Sequence, residues 1–288
     1  MQHLGRYRLD SVIGVGAFAT VWRAYDDDLD VEVAVKVLAD NWAHHADVRE
    51  RFLDEARILR QIRDPRVVRV HDIGESGDRP YFVMDFLPGG TLNDAIASDR
   101  TPSRALHLAA EAARAVQALH DAGVLHRDVK PANLLLDADG GVHVSDLGSA
   151  KRLAEASGYT VVTGTPSFMA PEQALGQPLD GRSDVYSLGV MTYEFLTGRL
   201  PFASALGRTA SDRPPATGAG AAVDRYLSSA LALRPAERPA SPGTFAAVLE
   251  NLSDGHAPRR DLNTRVVLAA STLSFSAAAG LTWLILHR

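Results

Sequence analysis

The chain has 288 residues, 46% of them apolar and 23% charged, which is room for a two-lobed domain of about 250 residues plus one appendage. A net charge of −5 leaves no overall basic footprint for nucleic acid. With no cysteine, disulfides, thiolate metal sites and cysteine nucleophiles are excluded.

In chain order, the opening residues MQHLGRYR carry no long apolar core after their basic residues, so no signal peptide is expected there. Residues 6–13 and 19–25 read as strands around a glycine-containing turn, and 31–38 alternates as a third. Residues 48–62 have helical apolar spacing at Phe52, Ala56, Leu59 and Ile62. Strand character returns at 67–73 and 80–85, and Pro88-Gly89-Gly90 then breaks the chain where a hinge between lobes would fall. Helices are expected at 92–97, 102–122, 184–196, 221–233 and 241–251. Residues 253–265 are polar and interrupted by Gly255 and Pro258, as in a linker.

The stretch 266–286 holds 21 consecutive residues without a charge. As a helix it would span about 31 Å, close to the hydrocarbon thickness of a bilayer. Trp283 suits an interfacial anchor, and Arg259, Arg260 and Arg265 precede the stretch while only Arg288 follows it. That bias predicts a single-pass cell-membrane protein with residues 287–288 as an extracytoplasmic stub and the rest cytoplasmic. A helix buried against the domain is the alternative.

The most informative motif is His126-Arg127-Asp128-Val129-Lys130-Pro131-Ala132-Asn133, followed by Asp146-Leu147-Gly148 and Ala170-Pro171-Glu172. Phosphoryl transfer needs a carboxylate to orient the attacking hydroxyl, a cation to neutralise the moving phosphate, and oxygen ligands for magnesium. Asp128, Lys130, Asn133 and Asp146 provide that set in the order and spacing of a protein-kinase catalytic loop. On these residues the chain, from about 6 to 252, resembles the eukaryotic-like (Hanks-type) serine/threonine protein kinases of bacteria.

The resemblance implies an α+β, two-lobed protein-kinase fold. The β-rich N-lobe would cover about 6–84 and the helical C-lobe about 88–252, with a juxtamembrane linker at 253–265 and a C-terminal transmembrane helix at 266–286. It also implies an ATP site. Ile13 leads into Gly14-Val15-Gly16-Ala17-Phe18-Ala19-Thr20-Val21, a glycine-rich loop with Ala19 where a third glycine is usual. Glycines there let backbone N–H groups approach phosphates without a Cβ in the way. Lys36, in Val33-Ala34-Val35-Lys36, would pair with the phosphates and with Glu55, whereas Asp54 is off the face set by Phe52, Ala56 and Leu59. Val21, Ala34 and Leu135 would sandwich the adenine, with Met84 behind it and the backbone of Asp85 to Leu87 bonding the base. Asp128 would be the catalytic base, Lys130 would stabilise the transferred group, and Asn133 and Asp146 would hold Mg2+, with Mn2+ as the substitute.

Lys130 together with Thr165 is the serine/threonine rather than the tyrosine form, and Thr165 would bond Asp128 and Lys130. Leu147 stands where Phe is usual and would pack with Leu59, Val70 and His126. Phe168 stands where Tyr is commoner. Glu172 would form a buried ion pair with Arg238, and Asp184 would hold the catalytic-loop backbone. Arg127 would meet a phosphorylated residue of segment 149–170. Thr160 and Thr163 are the candidates there for autophosphorylation in trans, which a homodimer would allow. Segment 203–222 is shorter than is usual in the family and loop-like in composition, which bears on substrate docking. The expected function is thus that of a membrane-anchored, Mg-ATP-dependent kinase of protein substrates, without nucleic-acid partners. The alternatives are a membrane-anchored ATP-binding pseudokinase scaffold and a small-molecule phosphotransferase.

Overall fold

The computed structural model describes residues 2–147, 167–202, 208–209 and 212–253. In the first lobe, β1 (Gln2–Leu4), β2 (Tyr7–Val15), β3 (Ala19–Asp26), β4 (Val31–Leu38), β5 (Val70–Ser76) and β6 (Arg79–Asp85) form one antiparallel sheet. Its strand order is β1-β2-β3-β4-β6-β5. Helices α1 (Asp40–Ala43) and α2 (Ala46–Gln61) connect β4 to β5.

Strand β4 shows why this lobe closes over a charged residue. Its side chains alternate between faces. Val33, Val35 and Val37 join one buried cluster with Leu9, Tyr81 and Val83. Ala34 and Leu38 join another with Phe52 and Leu59 of α2. Period two therefore puts Lys36 on the α2 side. Helix α2 answers with a buried face of Val48, Phe52, Glu55, Ala56 and Leu59, in which Glu55 is the only charge.

The second lobe contains α3 (Leu92–Ser98), α4 (Pro102–Asp121), α5 (Pro171–Ala174), α6 (Gly181–Thr197), α7 (Ala221–Ala230) and α8 (Pro242–Ser253). A small hairpin, β7 (Leu134–Leu136) with β8 (Val142–Val144), lies between α4 and α5 in sequence. Helix α4 is the centre of the lobe and packs on α6 and α8. Ala105, Ala109, Ala110, Ala112, Ala113 and Ala115 on it are wholly buried, and such small side chains let the neighbouring helices come close. Asp180 caps α6 by accepting the Arg182 N–H, and Gly198, in the left-handed region at φ 70°, ends it.

Most predicted elements form, with shifts that have local causes. The strand expected at 67–73 begins only at Val70. Residues 66–68 instead serve the join between the lobes, where Val68 N–H bonds Val144 O and Val144 N–H bonds Arg66 O, each at 2.9 Å. The helix expected at 221–233 stops at Ala230, and the carbonyls of Ala232 and Leu233 accept instead from the Arg238 guanidinium. Strand β1, helices α1 and α5 and the β7–β8 hairpin are too short for a periodic signal. In segment 203–222 the described residues carry no helix before α7, as composition predicts. Of its described residues, Arg208 stacks on Phe202 at 3.4 Å and bonds the Tyr186 hydroxyl at 2.9 Å. No helix among the described residues is long and apolar enough to cross a membrane. The predicted span 266–286 lies outside the described residues.

The hinge passes directly against β7. Gly89 N–H bonds Leu136 O and Leu136 N–H bonds Gly90 O, both at 2.9 Å. A Cβ on Gly89 would sit 2.7 Å from the carbonyl oxygens of both Leu136 and Asp137. Gly89→Ala is expected to destabilise the fold by about 1–3 kcal/mol, read as a lower urea midpoint at unchanged slope.

Candidate active site

Lys36 Nζ lies 2.8 Å from Glu55 Oε1 and 2.8 Å from Asp146 Oδ2. The side chains of Lys36 and Glu55 are 9% and 3% exposed. Burial alone would push the ammonium down, but Asp146 and Glu55 outweigh it and raise its pKa, so the lysine stays charged. Asp54, the rival acid, is partly exposed and pairs with Arg57 instead.

The loop after α4 brings the next charges to the same place. Lys130 Nζ donates to Asp128 Oδ2 at 2.7 Å, and Asn133 Nδ2 donates to the same oxygen at 3.1 Å and to the Asp128 carbonyl at 2.8 Å. Ser145 anchors the Asp146 strand end to this loop, since its N–H and Oγ both bond Asn133 O at 3.1 Å. Asp128 is thereby held by two donors while remaining part-buried at the mouth of the cleft.

That loop is itself held from below. Asp184 accepts from the backbone N–H of His126 at 2.9 Å and of Arg127 at 2.7 Å, and from His120 Nε2 at 2.7 Å. Arg127 has φ 64°, a conformation unusual for a residue with a Cβ, and such strain needs surrounding bonds to maintain it. Burial pushes the His126 imidazole down, so its Nδ1 is an acceptor for Asp128 N–H at 3.3 Å. Lower still, Arg238 binds Glu172 through two bonds of 2.6 and 2.8 Å. Its remaining N–H groups go to the carbonyls of Ala232, Leu233 and Arg182, so all five guanidinium donors are used.

The glycine-rich turn closes the top. Gly16 N–H bonds Ala19 O at 2.9 Å. Ala19, in place of a third glycine, is an ordinary strand residue paired with Leu38. Phe18 is tucked in and stacks on Trp42 at 4.9 Å, while Trp42 Nε1 bonds Ala17 O at 2.9 Å. This tether of the turn to α1 was missed by sequence reasoning, as were His120 and Ser183, which supports Glu172. An isolated Trp, His or Ser carries no pattern by which to find it.

Gly14 to Ala19, Val21, Lys36, Glu55, Asp128, Lys130, Asn133 and Asp146 all line one cleft of about 380 Å³, with Phe52 and Ala132 added. The expected adenine-side residues Ile13, Ala34, Met84, Asp85, Leu87 and Leu135 are not in its wall. Ala34 and Met84 are buried partners across β4 and β6. Ile13 is exposed, Leu135 is partly buried on β7, and the Asp85 carboxylate bonds Arg69 N–H and His71. Leu147 joins the buried cluster of Leu59 and Val70, as expected. Thr160, Thr163, Thr165 and Gly148 lie outside the described residues.

The donor set suits a hard cation with phosphate. Asn133 uses its Nδ2 on Asp128, leaving the amide oxygen as a ligand atom, and Asp146 adds a carboxylate. Magnesium is commonly held by one or two protein oxygens plus substrate phosphates.

Comparison with known proteins gives the same picture. Residues 7–216 match the family described as "Protein kinase domain". The chain is 40% identical over 206 residues to serine/threonine-protein kinase PknB of Mycobacterium leprae, covering 68% of this chain and 33% of that protein. It is 38% identical over 279 residues to serine/threonine-protein kinase PknJ of Mycobacterium tuberculosis, covering 88% of this chain and 47% of that one. The chain thus spans between a third and a half of the length of these relatives. The crystal structure of the Mycobacterium tuberculosis PknI kinase domain superimposes with a TM-score of 0.67 at 26% identity, covering 87% of this chain and 97% of that one.

Two outcomes are expected of the supports. Arg238→Lys keeps the charge but cannot reproduce five fixed donors, and leaving Glu172 poorly paired should cost about 3–5 kcal/mol in chemical unfolding. Burial would raise the carboxyls of Glu172 and Asp184, yet Arg238 and His120 respectively lead the hydrogen bonds that hold both below their ordinary values of 4.5 and 3.8. Folded values below unfolded ones mean that their stabilisation is complete above those ordinary values and is lost as pH falls through the folded ones. Urea midpoints measured from pH 7 to pH 3 should therefore fall at the acid end, and less steeply for Asp184→Asn.

Proposed function

The chain belongs to the protein kinase family, among its bacterial serine/threonine (Hanks-type) members, and from that premise we propose that it phosphorylates serine and threonine hydroxyls of proteins with Mg-ATP. One observation carries this reading: the buried Lys36 ammonium is paired with both Glu55 and Asp146 in the cleft that also holds Asp128, Lys130 and Asn133.

When bound, Mg-ATP supplies the γ-phosphoryl group and a divalent charge. The chain's own residues then have separable tasks. Lys36 is kept charged and aimed by Glu55, ready to bind phosphate oxygens. Asp146 and Asn133 offer oxygens to the cation. Asp128 Oδ2, fixed by Lys130 and Asn133, orients the incoming hydroxyl and takes its proton. Lys130 lies beside that oxygen and offsets charge on the transferred group. The adenine would lie beyond Val21, between Ala34, Met84 and Leu135, with Asp85 and Leu87 on the hinge side.

The same reading extends to regulation and place. Thr160 and Thr163 are the proposed autophosphorylation sites, reached in trans within a homodimer, and Thr165 the proposed partner of Asp128 and Lys130. Residues 266–286 are the proposed membrane anchor, with the kinase lobes on the cytoplasmic side. Support for the anchor is its uncharged length and the arginines before it.

The test is incubation with labelled ATP, magnesium and a generic protein substrate. Label is expected on protein serine and threonine, with mass spectrometry locating any on the chain itself. Asp128→Asn should lower transfer about a hundredfold or more while leaving the urea midpoint nearly unchanged. Nucleotide binding without transfer by the unaltered chain would replace this reading with a scaffold, and transfer to small molecules alone would replace it with a different phosphotransferase.

A further inference from the structure

A second charged region lies on the same lobe, away from the cleft. Arginines recur every third residue at Arg57, Arg60, Arg63, Arg66 and Arg69, from the last turns of α2 through the connection to β5. All five are exposed. Arg57 pairs with Asp54, and Arg60 bonds the His71 carbonyl at 2.9 Å. Among the described residues, no hydrogen bond or ion pair engages the side chains of Arg63, Arg66 or Arg69.

The helix dipole accounts for one of these. A cation in the final turn of a helix is favourable, which covers Arg60, but Arg63, Arg66 and Arg69 lie beyond the helix end. The acids nearby are already engaged. Asp64 caps the turn by accepting Arg66 N–H at 2.8 Å, and Asp85 accepts Arg69 N–H and pairs with His71. A local excess of positive charge thus stands on a chain whose net charge is −5.

The region is also recessed. Two adjoining hollows of about 710 and 440 Å³ share Arg60 and Arg63. Arg69 and His71 line the larger and Arg57 the smaller. Guanidinium groups grouped in a recess match a doubly charged phosphate, which they bind through paired, charge-assisted hydrogen bonds. A concave hollow suits a phosphate carried on a flexible segment better than a flat bilayer surface, and the aromatic ring in its walls, His71, is held by the Asp85 carboxylate rather than offered to a base.

We propose that this arginine-lined recess at the end of α2 is a docking site for a phosphorylated, acidic segment of a protein partner. It goes beyond the kinase reading and does not depend on turnover, so binding is measured on the full chain carrying Asp128→Asn. The probes are a labelled acidic peptide containing one phosphothreonine, the same peptide unphosphorylated, and vesicles containing phosphatidylserine. At about 0.1 M salt, where surface charges are screened beyond roughly 10 Å, the phosphopeptide is expected to bind about tenfold more tightly than its unphosphorylated form. Combining Arg60→Ala, Arg63→Ala and Arg69→Ala should abolish that preference, while Arg225→Ala, an exposed arginine on α7, should not. If the triple variant melts early, Arg63→Gln alone and phosphopeptide protection of amides 57–71 from hydrogen exchange decide the matter. Equal binding of the two peptides, a preference that survives Arg63→Gln and the triple variant, protection elsewhere, or capture by vesicles rather than phosphopeptide would each overturn the proposal.

Discussion

A single buried ammonium organises this molecule. Lys36 comes from the middle of a β-strand, Glu55 from the helix that follows, and Asp146 from the far lobe, yet all three meet within hydrogen-bonding distance. An unpaired charge in such a place would be prohibitively costly. The lysine can therefore stay only while α2 is seated against the sheet and the second lobe is closed up to the first. The geometry that the proposed phosphate site requires and the geometry that keeps the charge buried are one and the same.

The second lobe repeats the principle with backbone groups. Asp184 is wholly buried and takes the N–H groups of His126 and Arg127, which would otherwise be orphaned at a bend where Arg127 adopts a positive φ. Arg238 and Glu172 do similar work one layer down, tying α5 to the turn after α7. Neither pair touches the cleft. Asp184 holds the backbone that leads into Asp128, and Arg238 bonds the carbonyl of Arg182, two residues before Asp184.

The arginine-lined recess differs in kind from these buried centres. Its charges are exposed and, among the described residues, in part unpaired, which suits a surface that meets a ligand from solution. It sits at the end of the helix that carries Glu55.

Much of this was legible in the chain itself. The cluster of Asp128, Lys130 and Asn133 could be read because the three lie within six residues, and local spacing alone brings them together. Glu55 could be chosen over Asp54 because helical periodicity puts it on the face of Phe52 and Leu59. Other features needed the fold. Trp42 beneath the glycine-rich turn, His120 against Asp184, and Gly89 against Leu136 are contacts between elements far apart in sequence or too short to show a period. The start of β5 was misplaced for the same reason, since residues 66–68 bond Val144 rather than a strand of the sheet. Sequence alone determined which charges exist and which face of each element they occupy, because backbone periodicity is local. Tertiary structure alone decided which of them touch, because burying a charge selects its partner by three-dimensional proximity and not by order along the chain.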